Sequence, residues 1–392
     1  MKLTIIGLLD TPDPQINPDV LWEVLRHKVF SGGKRHHALV ERLLPSDAVW
    51  IDITAPLSKV FEQYRQYDEI VVFASGDPLF YGFASTVLRK LPDAELKTYP
   101  VFNSLQQLAH RLVMPYHDMT VVSLTGRPWH AFDCALIEGR SKIGVLTDKE
   151  HTPSAIAGRM LEYGYTDYRM AVGEHLGHPE KERVMQLSLE EVTERTFENP
   201  NCLILIGSHQ RRMGIPDNEF MLLDGRERMI TKMSIRLLSL HSLDLWKRSV
   251  MWDIGFCTGS VSIEARLQFP QVLVEAFEIR PECENIIAEN SRRFGTPGIN
   301  VHMGDFLTTD CSGLPRPDAV FIGGHGGKLK EIMLKVAGCL QKGGCIVMNS
   351  VSQESLKLFD EACASLQLLQ RPPLHIQVNN YNPISILKCE LL

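Results

Sequence analysis

The chain predicts an α/β protein built from two successive strand–helix domains, and three observations predict it. Short apolar, β-branched runs alternate with stretches of helical spacing along nearly the whole length, the order that builds sheets covered by helices. Glycine-rich turns follow the C-terminal ends of those runs, where open parallel sheets bind ligands. Between Gly207 and Arg228 the alternation stops. That segment carries Arg211, Arg212, Gly214, Pro216 and Asp217 with no periodic apolar stretch, so a boundary is expected near Ser208, dividing 1–207 from 208–392.

Composition narrows the function classes. A chain of 392 residues can bury substantial cores, and 44% hydrophobic with 22% charged residues is ordinary for a soluble globular protein. A net charge of −6 argues against general nucleic-acid binding and leaves room only for a local basic cleft. The nine cysteines include no Cys-x-x-Cys pair. They form neither a zinc pattern nor a disulfide framework, so reduced thiols and a cytoplasmic location are expected. No apolar run approaches the ~20 residues that span a membrane, and no membrane partner is expected. The opening Met1–Gly7 is too short for a signal-peptide core and lacks a cleavage site, so it reads as a first strand.

In the first half, Leu3–Leu8 reads as a buried strand interrupted at Gly7, and 10–14 as a loop. Residues 18–27 have helical spacing with Val20, Leu21, Val24 and Leu25 on one face. Val29-Phe30 opens onto Ser31-Gly32-Gly33-Lys34-Arg35-His36-His37, where glycines followed by cations suit an anion. Adjacent histidines rarely converge on one ion, so no metal site is expected there. The strand 69–74 runs through Ser75-Gly76-Asp77-Pro78-Leu79-Phe80-Tyr81-Gly82 into a helix over 83–90, and Pro78 stiffens that turn. A strand at 96–100 precedes an Asn103 cap and a helix start at Ser104. Strands follow at 120–124, 142–146, 168–172 and 202–206, with a helix over 153–163 capped by Thr152.

In the second half, Thr231-Lys232 opens a helix whose apolar face is Ile235, Leu237, Leu238 and Leu240. The apolar run Val250–Asp253 ends in a turn bracketed by Gly255 and Gly259, with Phe256, Cys257 and Thr258 between them, and the chain is helical again by Val261. Such a junction points free N–H groups into the crevice above the sheet, and glycine lets backbone approach a ligand. A second run ends at Glu278, about twenty residues on, where an acid can reach the ribose of a bound nucleoside. This is not the Gly-x-Gly-x-x-Gly pattern of nicotinamide enzymes, so hydride transfer is disfavoured. It looks more like the methyltransferase version, which binds S-adenosylmethionine (SAM). A helix over 281–294 leads to a strand at 299–303 and Gly304-Asp305-Phe306. A strand at 318–322 enters Gly323-Gly324-His325-Gly326-Gly327, followed by a helix over 328–340 and a strand at 345–349. The order predicts a doubly wound parallel sheet with right-handed crossovers.

Several motifs match known families. Gly32-Gly33-Lys34-Arg35-His36 with Ala74–Gly82 resembles the tetrapyrrole methylase family, in its cobalamin-pathway branch; Leu146-Thr147-Asp148, Thr152-Pro153 and Glu174-His175-Leu176-Gly177 extend the match. Thr231-Lys232, Asp253–Glu264 and Phe321–Gly327 are similar to the class I SAM-dependent methyltransferases of the same pathway. The tandem, over nearly the whole chain, resembles the precorrin-6Y C5,15-methyltransferase (decarboxylating) family. The resemblance implies an N-terminal two-lobed tetrapyrrole methylase fold followed by a C-terminal doubly wound, Rossmann-like SAM methyltransferase sheet. There are departures. Gly7-Leu8-Leu9-Asp10-Thr11 stands where the family has Gly-x-Gly-Pro-Gly, Cys257 replaces the middle glycine of the second turn, and His325 replaces a small hydroxyl residue.

The resemblance further implies SAM as cofactor of both halves, a tetrapyrrole substrate and a homo-oligomer. SAM is expected against Gly76, Asp77, Leu79, Phe80 and Ser104 in the first half. In the second it is expected against Thr231, Asp253, the turn from Gly255 through Phe256, Cys257 and Thr258 to Gly259, Glu278 at the ribose, and Asp305 and Phe306 beside the adenine. The carboxylate-rich substrate calls for cations, and Lys34, Arg35, Arg127 and Lys232 are the candidates. Lys232 and His325 are the candidates for holding charge or moving a proton at the macrocycle; for His325 a backbone-shaping or substrate-edge role stands beside that one. Cys257 is expected to be packed rather than nucleophilic, because methyl transfer from SAM needs no thiol. Two other readings fit the residues: a two-domain methyltransferase on another tetrapyrrole or polycyclic acid, and a binding protein whose SAM sites have degenerated at Leu9 and Cys257.

Overall fold

The computed structural model describes the chain apart from residues 10, 12–15 and 379–381. The loop expected at 10–14 therefore lies, Thr11 apart, outside the described residues. The chain divides into two units: Met1–Arg127, Lys142–Ala157 and Tyr168–Ile206 form one, and Pro128–Ser141, Gly158–Asp167 and Gly207–Leu392 the other. The division is not a single cut, since two segments from the first half of the sequence group with the second unit.

The chain begins β1 (Lys2–Leu8), α1 (Pro18–Arg26), β2 (Val29–Gly32), α2 (Lys34–Val40), β3 (Val49–Asp52), α3 (Leu57–Tyr64), β4 (Glu69–Ser75), α4 (Phe83–Lys90) and β5 (Glu95–Tyr99). These strands form a parallel five-stranded sheet in the order β3-β2-β4-β1-β5. The middle strand β4 is buried from Ile70 to Ala74, as an apolar strand covered on both faces must be. There follow α5 (Ser104–Arg111), β6 (Thr120–Ser123), α6 (His130–Ile137), β7 (Lys142–Leu146), α7 (Pro153–Glu162), β8 (Tyr168–Glu174), β9 (Arg183–Ser188), α8 (Leu189–Thr193) and β10 (Asn201–Gly207). Their sheet runs β6-β7-β10-β8-β9, with β10 antiparallel to β7 and β9 antiparallel to β8. Helix α5 starts on a reciprocal cap: Asn103 Oδ1 accepts from Gln106 N–H at 2.9 Å, and Gln106 Oε1 accepts from Asn103 N–H at 3.0 Å.

One helix face differs from expectation. In α1 it is Glu23, not Leu25, that turns inward beside Val20 and Val24; Leu25 is 56% exposed. Lys97 Nζ at 2.6 Å and the Tyr99 hydroxyl at 3.1 Å, both on β5, reach Glu23 Oε1, so the packed stripe is set by an ion pair that apolar spacing does not register. Strands β3 and β9 and helices α2, α3, α6 and α8 were not anticipated, Lys34 to His37 being helix where a glycine-and-cation turn was read; β3 is four residues long with one buried, too short for a periodic signal. Gly7 lies where β1 passes the turn after β4, and a Cβ there would run into the Gly76 carbonyl. Gly7→Ala is expected to destabilise the first unit by about 2–3 kcal/mol through overpacking, read as a lowered denaturation midpoint.

The second unit contains α9 (Met233–Ser242), β11 (Val250–Ile254), α10 (Ser260–Gln268), β12 (Leu273–Glu278), α11 (Glu282–Arg293), β13 (Ile299–Met303), β14 (Ala319–Ile322), α12 (Leu329–Cys339), β15 (Cys345–Ser350), α13 (Gln353–Ser365), β16 (Leu369–Gln370), β17 (Leu374–Ile376) and β18 (Ile384–Glu390). The sheet order is β13-β12-β11-β14-β15-β18-β16, with β17 also on β18. The first five are parallel, and β18 runs antiparallel to β15, so the expected parallel sheet carries an antiparallel edge. Alternate residues face opposite cores. Met251, Val274, Phe321 and Val347 pack with Ile235 and Val261, whereas Trp252, Ile254, Val320 and Met348 pack with Met333 and Phe359. Helices on both faces make the sheet doubly wound. In α9 the buried positions include Arg236 and Ser239, while Leu237 and Leu238 are only partly covered, against the expected leucine stripe. The cause is a buried ion network described below.

Candidate active sites

In the second unit the site is built by two turns at the C-terminal ends of β11 and β14. Gly255 has φ +77°, and a Cβ on it would lie 2.8 Å from Gly324 N, so the two turns can back onto each other only through glycine. Gly259, at φ +73°, leaves no room for a Cβ beside Ile287 of α11; it sets helix packing and does not line the cavity. Cys257 occupies the left-handed region at φ +51°. Its N–H donates to Glu278 Oε2 at 2.9 Å, which holds the strained residue in place. Burial, with the Glu278 charge adding to it, pushes the Cys257 thiol up, so it stays protonated and is no nucleophile.

Glu278, buried at the end of β12, also accepts the N–H groups of Ile279 at 2.8 Å and Arg280 at 3.0 Å. The Arg280 guanidinium lies 3.0 Å from Oε1, with 34% of that side chain exposed. Asp253 is wholly buried. Its Oδ2 accepts from Ser262 Oγ at 2.5 Å, while Oδ1 has no partner among the described residues, and neither does Thr258 Oγ1. Burial, with the Glu278 charge adding, raises the Asp253 carboxyl to about 7. Two orphaned polar atoms beside a glycine turn fit a nucleoside ligand whose polar end brings donors to them.

The cradle opens into two adjoining cavities. One, of about 840 Å³, is lined by Thr231, Lys232, Asp253, Gly255, Phe256, Cys257 and Thr258, and also by Arg228, Arg280 and Asn349, which sequence reasoning missed. The other, of about 200 Å³, is lined by Glu278, Asp305, Phe306 and His325. Gly255, Arg280 and Gly324 border both. Phe306 is nearly buried, edge-on to Phe277 with centroids 5.0 Å apart and the Lys335 ammonium 4.8 Å from its ring. Asp305 pairs with Lys328 at 3.1 Å. His325 Nδ1 accepts from Gly327 N–H at 3.2 Å, and burial lowers its pKa, so the ring is neutral near pH 7. Lys232 caps α9 and lies 3.6 Å from Asp217.

The unfolded-state aspartate range lies well below the folded value of Asp253. Between about pH 4 and about pH 7 the folded protein holds a proton there that the unfolded chain has released. This stabilising contribution is full below that window and is lost as pH rises through it. Asp253→Asn is expected to flatten that part of the stability–pH profile in urea titrations; an unchanged slope would count against the assignment.

In the first unit Arg35, Gly76, Asp77, Phe80 and Ser104 line one cavity of about 460 Å³, together with His36, Ser75, Gln107 and Asn201, which sequence reasoning did not single out. Ser75 ends β4 and Asn201 begins β10, while His36 and Gln107 lie in the helices α2 and α5. Leu79 is 51% exposed and does not line the cavity, because Asp77 Oδ1 takes the Leu79 N–H at 2.9 Å and turns the side chain outward in a tight loop. Lys34, exposed at the first position of α2, does not line it either. Arg127 does not line the cavity either; its guanidinium lies 5.3 Å from the ring centroid of Tyr81, which does, and 2.8 Å from Ser123 Oγ. Of the adjacent histidines, His37 stacks on Trp50 at 4.2 Å. Among the described residues no group of His, Cys, Asp and Glu could hold a metal ion, and no helix is long and apolar enough to cross a membrane.

A family described as Tetrapyrrole (Corrin/Porphyrin) Methylases matches residues 12–193, and one described as Precorrin methyltransferase domain matches 223–384. The chain is 30% identical over 360 residues to a precorrin-6Y C(5,15)-methyltransferase [decarboxylating] of Sinorhizobium, covering 90% of this chain and 85% of that one. It is 36% identical over 183 residues to a cobalt-precorrin-6B C(15)-methyltransferase (decarboxylating) of Salmonella typhimurium, covering 43% of this chain and 93% of that one. It is 29% identical over 198 residues to a cobalt-precorrin-7 C(5)-methyltransferase of the same species, covering 48% of this chain and 92% of that one. Both family models and a relative matched along nearly the full length agree with two glycine-walled sites on one polypeptide, and the chain belongs to the precorrin-6Y C(5,15)-methyltransferase (decarboxylating) family.

Proposed function

We propose that the chain carries out two SAM-dependent C-methylations of precorrin-6Y, or of its cobalt form, at C5 and C15, and removes the carboxylate of the ring C acetate, within cobalamin biosynthesis. Residues 1–207 perform the C5 step and 208–392 the C15 step with decarboxylation. The observation that carries this reading is the match along 90% of the chain to a relative of that name. Two separate cavities, each contained within one unit, support the two-site form of the proposal.

Bound SAM supplies an electrophilic methyl group. The protein's part is alignment and exclusion of water, because an electron-rich macrocycle carbon needs no strong base to attack. In the second unit Gly255, Asp253 and Thr258 receive the cofactor, and Glu278 receives its ribose hydroxyls. That carboxylate accepts three backbone N–H bonds and pairs with the half-open Arg280, which also lines the larger cavity, where the substrate's carboxylates would need cations. Lys232 and Arg228 stand on the same wall. Decarboxylation leaves an electron pair that the conjugated macrocycle absorbs, and Lys232 holds the charge that develops. His325, neutral, borders the smaller cavity and shapes its backbone through Gly327. In the first unit Gly76, Asp77, Phe80 and Ser104 receive SAM while Arg35, and Arg127 beside the cavity-lining Tyr81, meet substrate carboxylates. The protein acts in the cytoplasm as a homo-oligomer, without a nucleic-acid or membrane partner.

Mass spectrometry of the product from precorrin-6Y and SAM tests the proposal. Two added methyls with loss of carbon dioxide are expected. A product lacking either methyl, or retaining the carboxylate, overturns the bifunctional reading.

A further inference from the structure

The first-unit cavity holds a hydrogen-bond relay that the assignments above leave unused. The Gly33 N–H donates to His36 Nδ1 at 3.3 Å. A ring nitrogen that accepts carries no proton, so neutral His36 bears its proton on Nε2. That Nε2 lies 2.9 Å from Ser75 Oγ and donates to it, and Arg35 Nη2 donates to the same oxygen at 2.8 Å. A hydroxyl has two acceptor positions and one proton. Both acceptor positions of Ser75 are thus filled from the α2 side, and no acceptor for its proton is found among the described residues. Ser75 and Arg35 line the cavity next to Gly76 and Asp77.

We infer that Ser75, its hydroxyl oriented by His36 and Arg35, is a carboxylate-binding group that donates its proton into the first-unit cavity. A hydroxyl donor beside a guanidinium is a pairing that suits a carboxylate. His36 touches no ligand in this scheme; it is a positioning residue that decides which way Ser75 points. The inference rests on the proposed function of the first half, which brings two carboxylates to this cavity: the methionine end of SAM and the acetate or propionate arms of the tetrapyrrole.

Calorimetric titration of the full chain and of Ser75→Ala with three probes separates the sources. The probes are S-adenosylhomocysteine, methylthioadenosine (which lacks the carboxylate) and uroporphyrin as a tetrapyrrole polycarboxylate. If the carboxylate is the methionine's, S-adenosylhomocysteine binding at the first site weakens by about tenfold, the scale of one hydrogen bond to a charged group, and methylthioadenosine binding does not change. If it is the substrate's, only uroporphyrin binding weakens, by a similar factor. Ser75→Thr retains the hydroxyl and restores binding in either case. Unchanged affinity for all three probes in Ser75→Ala overturns the inference, as does a nitrogen-15 spectrum placing the His36 proton on Nδ1. A wild-type chain that binds S-adenosylhomocysteine but not uroporphyrin removes the proposed substrate, and the S-adenosylhomocysteine comparison then still decides the role of Ser75.

Discussion

Glu278→Ala is expected to stop the chain after one methylation. The product should carry a single added methyl and keep the ring C acetate. The carboxylate holds the N–H groups of Cys257, Ile279 and Arg280 and faces the Arg280 guanidinium. Its removal leaves Cys257 in a left-handed conformation with no pin, in the middle of the turn that receives the cofactor. It also removes the acceptor for the ribose hydroxyls. Loss of two such bonds to a charged group amounts to about 3 kcal/mol or more, hence at least about a hundredfold fall in kcat/KM for the second step. The first cavity contains no residue of this turn, so C5 methylation should continue at the wild-type rate. Product masses and single-step rates check both halves of the statement. Equal loss of both methylations would mean that the two sites do not act independently.

Arg236→Met should be the most destabilising single change in the second unit. Arg236 and Glu264 are both fully buried and lie 3.2 Å apart. Arg236 also donates to the carbonyls of Thr231 at 2.9 Å and of Ile215, and it faces Asp217 at 3.4 Å. Glu264 accepts the N–H groups of Gly214 at 2.6 Å and Ile215 at 3.2 Å. The network therefore ties the aperiodic segment after Gly207 to α9 and α10, and fixes Thr231 on the cavity wall. Removing one partner of a buried ion pair leaves the other charge uncompensated, at a cost of about 3–5 kcal/mol. Replacing Arg236 and Glu264 together by apolar residues of similar size should recover part of that loss, because neither charge of the pair is then left buried without the other. Urea unfolding of both single variants and of the double variant measures the coupling. Strictly additive losses would show that the pair does not act as a unit.

The strands and turns that carry the two sites were legible in the sequence because their signals are local. Apolar runs such as Ile70–Ala74 and Val250–Ile254 bury both faces of a parallel sheet, and the glycines that end them are required by left-handed φ or by the approach of a second backbone. Hence Gly255 and Glu278 could be singled out from spacing and Gly76 from its strand–glycine–helix junction, whereas Asp253 was reached through the family resemblance. Residue pairs distant in sequence could not. That Glu23 faces inward depends on Lys97 and Tyr99, and that Arg236 displaces leucines from the buried face of α9 depends on Glu264, twenty-eight positions away. Leu79 and Lys34 sit inside matching motifs yet lie off the cavity, because a motif marks a loop and not the direction of each side chain. Ser75 shows the converse: a serine quoted only as part of its motif becomes a directed donor once β4 and α2 bring His36 and Arg35 to its oxygen. By itself the sequence determined the long apolar strands, the glycine turns that end them and the acid at the end of β12, since period and backbone conformation are properties of neighbouring residues. Which buried charges pair, which side chains face a cavity and which way a hydroxyl points were decided only by tertiary structure, since each depends on a partner that the chain delivers from elsewhere.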